Sequence, residues 1–272
     1  MCMHSPHPVI KLAEIYPQLY LPVSEGGSRT ELYKRIVRLG MTYTGESTCF
    51  SLSPEDELTY PGTPYGKVAC IYLSLREDFI SFIRIMRYRC EPYTISDSVG
   101  AMFISGIVNW RRRFAGEEYK DEIIVLSKGG YSGTDHSRTP YTRDKWLDIS
   151  KKIRTYHEIT HFICRRLFPE RLPAVTEEVI CDAAGMLHAF GGYDGRLAEI
   201  FLGVEREGLT PGGRLENYIG VDEDASGAAA RAKRMIAAVS GEIGKLNFRP
   251  GSDTPDYTEI IRRLASVLFP YR

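Results

Sequence analysis

The chain has 272 residues, 43% hydrophobic and 26% charged, the composition of a soluble globular protein with enough material for one large domain or two small ones. Lysine plus arginine equals aspartate plus glutamate at 35 each, so no polybasic excess points to nucleic acid or an anionic membrane as partner. Six cysteines, Cys2, Cys49, Cys70, Cys90, Cys164 and Cys181, are scattered without C-x-x-C spacing, which excludes a disulfide framework and suits reduced thiols.

The first residues, MCMHSPHPVIKLAEIYPQLY, lack a basic start followed by an apolar core, and no apolar run approaches the ~18 residues that span a bilayer. A cytoplasmic protein without membrane association is therefore expected. Residues 28–40 are predicted helical, with Ser28 as N-cap, Leu32, Ile36 and Leu39 on one stripe and Gly40 at the stop. A strand is expected over 66–75, after the turn material PGTPYG, and a helix over 76–89 on the spacing of Phe79, Phe82, Ile83 and Met86. Val99, Met102, Phe103, Gly106, Ile107 and Trp110 repeat at helical spacing, which predicts a core-packed helix over 96–114 ending in a solvated run, Arg111 to Arg113. A second strand follows at 123–126 and leads into the glycine-rich segment KGGYSG. That segment lacks the P-loop lysine and serine pattern and reads as a turn.

Residues 142–168 contain neither proline nor glycine and are predicted to form one long helix, with Trp146, Ile149, Ile153, Tyr156, Thr160, Ile163 and Leu167 on its apolar stripe and Pro169 as its stop. Its C-terminal half carries His157, Glu158 and His161, an H-E-x-x-H pattern. A four-residue step turns the helix by about 400°, so both imidazoles lie within ~40° of each other and ~6 Å apart along the axis. That spacing lets both address one ion, while Glu158 reaches a water on such an ion without ligating it. The bland alternative is a pair of partly buried histidines satisfied by local hydrogen bonds.

The next predicted helix, 175–193, weighs against the bland alternative. It places Glu178 and Asp182 four residues apart on one face. A catalytic zinc takes three protein ligands and leaves a position for water. His157, His161 and Glu178 would supply the three, with Asp182 accepting the far ring N–H of a ligand histidine. Glu177, which shares no face with Asp182, is expected toward solvent or the helix N-terminus; Cys181, one turn after Glu178, could in principle give a His2Cys site, but a buried, inert thiol is expected there, as for Cys164. Gly185 would let two helices approach closely. His188, ~240° around the helix from Asp182, should point away.

The pattern His157-Glu158-x-x-His161, then Glu178-x-x-x-Asp182 after 16 intervening residues, resembles that of the gluzincin, or thermolysin-like, metallopeptidases. The resemblance covers 147–190. It implies an α+β fold with a zincin-like core: a small sheet, an active-site helix bearing H-E-x-x-H and a second helix bearing the glutamate ligand, with a largely helical C-terminal part. The strand at 123–126 would then be an edge that pairs with an extended substrate. Cys164 and Leu167 stand where a metzincin would continue with glycine and histidine, which excludes that class, and an aspartate ligand at Asp194 has no helical companion.

The expected activity is that of a zinc-dependent metallopeptidase-like hydrolase cleaving a peptide or other amide bond. Glu158 would act as general base, and an oxyanion donor would come from Tyr193, Arg214 or Tyr218, the last two in a polar cluster with Glu216 and Asn217. Two alternatives stay open: a non-catalytic, metal-stabilised binding or regulatory protein that keeps the motif, and a small-molecule amidase on the same core. Residues 194–272 read as helices joined by polar loops, over 193–205, 223–244 and 254–269. A loose division near residue 120 separates an N-terminal α/β portion, 1–120, from the metal-helix portion, 121–272.

Overall fold

The computed structural model describes residues 6–21, 49–117, 120–205, 208–220, 224–246 and 257–269. The helix expected over 28–40 lies outside the described residues. The chain is mixed α+β and divides into two compact units. The first comprises residues 1–62, 67–96 and 101–128, and the second 63–66, 97–100 and 129–272. Among the described residues no helix is long and apolar enough to cross a membrane.

The first unit opens with helix α1 (Pro8–Ala13), whose N-cap His7 accepts the Val9 N–H through its side chain. In chain order there follow strand β1 (Glu57–Thr59), the two-residue strands β2 (Gly62–Thr63) and β3 (Gly66–Lys67), whose residues 63–66 group with the second unit, β4 (Ala69–Leu73), helix α2 (Arg76–Met86), β5 (Ala101–Val108), helix α3 (Trp110–Ala115) and β6 (Lys120–Ser127). Four of these strands form a sheet in the order β1-β4-β6-β5, with β4 and β6 parallel and both outer pairings antiparallel. The apolar run Ile123, Ile124, Val125 and Leu126 is fully buried because β6 is an inner strand, and α2 covers it with Phe79, Phe82 and Ile83.

Two expectations are corrected here. The strand at 123–126 is not an edge, since β4 and β5 flank it, so it has no free backbone to pair with a substrate. Residues 96–114 are not one helix. They form β5, whose register against β6 shifts between Ser105 and Ile107, followed by the short α3. The bulge is allowed by Gly106 at φ +77°, and the extra residue breaks the in-out alternation.

The second unit is mostly helical. Helices α4 (Arg143–Leu167) and α5 (Ala174–Phe190) pack along each other, followed by α6 (Gly195–Leu202), the hairpin β7 (Val204–Glu205) and β8 (Gly208–Leu209), a 3-10 turn at Arg214–Tyr218, α7 (Ala225–Lys245) and α8 (Tyr257–Leu268). Over 193–205 the helix is thus confined to α6, with a strand after it. At Gly185 helix α5 approaches α4 closely: a Cβ there would sit 2.8 Å from the Ile153 carbonyl oxygen. Asp194 caps α6 by accepting the Arg196 and Leu197 N–H groups, the local reason for an aspartate at this position and not a metal-binding one.

Candidate metal centre

The site is built where α4 faces α5. Along α4, Trp146, Ser150 and Arg154 recur every four residues and so lie on one side, where each holds the glycine-rich loop that precedes the helix. Trp146 donates its Nε1–H to the Thr134 carbonyl, Ser150 accepts the Tyr131 N–H, and Arg154 donates to the carbonyls of Gly129 and Gly130 at 2.7 and 2.6 Å. Only glycine fits at 130, since a Cβ would collide with the Thr134 carbonyl oxygen. The loop therefore has a structural purpose beyond a turn: it lowers Tyr131 into the helix pair, edge-on to Phe201 of α6.

One turn further along α4, His157 and His161 converge, with their Nε2 atoms 3.1 Å apart. Glu178 of α5 completes a triangle, with Oε2 3.4 Å from His157 Nε2 and Oε1 3.4 Å from His161 Nε2. The opposite ring nitrogens face other carboxylates. His157 Nδ1 is 3.0 Å from Asp182 Oδ1, and His161 Nδ1 is 2.6 Å from Glu177 Oε1. Each Nδ1 thus has a partner for a proton, so that once a cation displaces any proton on Nε2, both Nε2 lone pairs would face it beside the Glu178 carboxylate. Such an array of converging acceptors is a place for a cation. A second grouping overlaps it: ring nitrogens of His157 and His161 and the Cys181 sulfur lie within 4.8 Å of one another, a cluster able to hold a metal ion.

Around this triangle the buried charges compensate one another. Tyr131 donates its hydroxyl to Asp182 Oδ1 at 2.6 Å and lies 2.8 Å from His157 Nδ1. Arg214, from the 3-10 turn, pairs with Asp182 Oδ2 and donates to the Tyr131 hydroxyl at 3.1 Å, with its Nε 3.8 Å from Glu178. Burial opposes ionisation of Glu178 and Asp182, yet the two imidazoles hold Glu178 well below the usual carboxylate range, and Arg214 with His157 holds Asp182 below it. Burial likewise disfavours the charged imidazoles. The surrounding carboxylates outweigh it, so His157 is raised by Asp182 and Glu178, and His161 well above its ordinary value by Glu177 and Glu178. Tyr131 is pushed well above the phenol range by burial and then by Asp182, which keeps it a hydrogen-bond donor.

The remaining predicted residues take different places. Glu158 is buried beside His157, and its charge acts on both His161 and Tyr218. Tyr218 meets Glu178 through its hydroxyl and is raised by burial and by that carboxylate. Tyr193 is raised by burial and then by Asp182, and its buried hydroxyl has no hydrogen-bond partner among the described residues. Glu216 and Asn217 are exposed. His188 turns away from the triangle into a stack between Tyr156 and Tyr257, with ring centroids 3.5 Å from each.

One sequence expectation fails within the site. Glu177 does not face solvent, because His161, on the neighbouring helix, draws it in; the face argument considers α5 alone. Sequence reasoning also misses Tyr131 and Arg154. The available signal is the pair Gly129-Gly130, adjacent to a tyrosine and at the end of a buried strand.

The chain belongs to a family of unknown function (DUF7005), whose model matches residues 4–115 and 114–268. No curated protein and no solved structure matches it.

Proposed function

We propose that the protein is a zinc-dependent hydrolase with a zincin-like core, of the gluzincin type, acting on a peptide or other amide bond. The observation that carries this reading is the size of the donor triangle. Tetrahedral zinc with N and O ligands near 2.0–2.2 Å requires ligand-to-ligand edges of about 3.3 Å. The Nε2 atoms of His157 and His161 stand 3.1 Å apart and each is 3.4 Å from a different oxygen of Glu178, spacings close to that edge, which supports one ion shared by the three residues.

Bound there, zinc would supply an acidified water and a polarised substrate carbonyl. The chain's own residues would do the rest. Glu158, next to the ligands and buried with them, takes the water proton and returns it to the leaving amine. Tyr218, hydrogen-bonded to Glu178, has a hydroxyl kept protonated by burial, which suits a donor to developing negative charge on the substrate oxygen. Arg214 is committed to Asp182 and Tyr131 and serves to hold the ligand shell. A purely structural site has no use for Glu158, which favours a hydrolase over a binding protein.

Glu158→Gln tests the reading, because it keeps shape and removes basicity. The variant should bind zinc as the wild type does and lose peptide-library hydrolysis by about 10²–10⁴-fold. Equal hydrolysis by both proteins would overturn the assignment of the base.

A further inference from the structure

Cys181 lies one turn beyond Glu178 on α5, wholly buried, and its sulfur is within 4.8 Å of a ring nitrogen of both His157 and His161. Glu178 is also 3.4 Å from each imidazole, so α5 offers the same two histidines two donors, Glu178 and Cys181. We propose that Cys181 is a fourth ligand, so that the centre has a closed state ligated by both histidines, Glu178 and Cys181, in addition to the open three-ligand state that hydrolysis needs. The proposal rests on the zinc reading above and concerns which protein atoms complete the shell.

Zinc tolerates mixed shells of this kind, with sulfur at about 2.3 Å, which sets a sulfur-to-nitrogen edge of about 3.6 Å. The Cys181 sulfur, within 4.8 Å of a ring nitrogen of each histidine, stands somewhat outside that edge and would close by a side-chain adjustment. Thiolate is the softest donor in the cluster and zinc accepts it readily. Ligation replaces the S–H proton by the ion, so binding through Cys181 releases one proton. Cys164, on α4 one turn beyond His161, gives the withdrawn sulfur somewhere to go: the two thiols are hydrogen-bond partners. The same two helices that carry the ligands therefore each carry a cysteine one turn further on, and both cysteines are buried.

Cobalt(II) is the probe, because thiolate ligation gives a near-ultraviolet charge-transfer band that nitrogen and oxygen ligands do not. Full-length wild type loaded with one equivalent of cobalt should show the band. Cys181→Ala should still bind cobalt, without the band and with affinity lowered about tenfold or more. Cys164→Ala makes a similar cavity at the same helix contact but should keep the band, which separates ligation from a packing defect. Cys181→Ser serves if the alanine variant fails to fold. Cobalt bound by wild type with no charge-transfer band would overturn the fourth ligand while leaving the three-ligand site intact. Failure of wild type and all variants to bind cobalt would overturn both.

Discussion

Asp182 meets His157 at Nδ1, 3.0 Å away, and thereby fixes the tautomer that leaves Nε2 facing Glu178 and His161. The same carboxylate accepts from Tyr131 and pairs with Arg214, so one side chain couples ligand orientation to the neutralisation of a buried guanidinium.

Asp182→Asn should therefore act on two observables at once. Arg214 would lose its nearer counterion and keep only the more distant Glu178, at a cost of up to about 3–5 kcal/mol in urea unfolding. Zinc affinity, measured by chelator competition, should fall by about 10–100-fold because His157 loses its anionic partner. If Arg214→Met is added, part of the stability should return, whereas the affinity should not.

The glycine loop gives a second prediction. Gly130→Ala would press a Cβ into the Thr134 carbonyl, so the loop must shift and take Tyr131 with it. A loss of about 1–3 kcal/mol is expected, together with weakened metal binding. Gly192→Ala, where a Cβ meets nothing within 4 Å, is the control and should stay within about 0.5 kcal/mol of wild type. Equal effects of the two substitutions in thermal and chemical unfolding would show that the loop does not position Tyr131.

The stacked His188 predicts a pH dependence away from the metal. Burial between Tyr156 and Tyr257 pushes its pKa down to about 3, so the folded state favours the neutral ring while the unfolded chain protonates near 6.5. Its contribution is thus fully present above about pH 6.5 and is lost as pH falls toward 3. His188→Phe keeps the stack and removes the titration. Its stability relative to wild type should rise between pH 7 and pH 4 by on the order of 1 kcal/mol, allowing for the ring's partial exposure. A pH-independent difference would contradict the assignment.

How much of this is legible in the sequence depends on the range of the forces involved. Helices α4 and α5 are readable because their apolar periodicity runs unbroken and Pro169 and Gly191 mark their ends. The four-residue steps from His157 to His161 and from Glu178 to Asp182 then determine which side chains share a face. Strand β5 reads as a helix because the bulge at Ser105 to Ile107 erases the two-residue alternation, leaving Phe103, Ile107 and Trp110 at a helix-like spacing. Glu177 and Tyr131 are illegible for another reason: each is placed by a residue on a different element, His161 for the first and Arg154 with Ser150 for the second. Arg214 stands in the sequence as one polar residue in a cluster, and only its ion pair with Asp182, 32 positions away, gives it a place.

The most direct test is the metal content of full-length protein purified without added metal, measured by elemental analysis beside His161→Ala. A triangle of His157, His161 and Glu178 predicts about one zinc ion per wild-type chain and almost none in the variant. Wild-type protein that carries no near-stoichiometric zinc and fails to bind it at submicromolar concentration would contradict the metal centre on which the proposed activity rests.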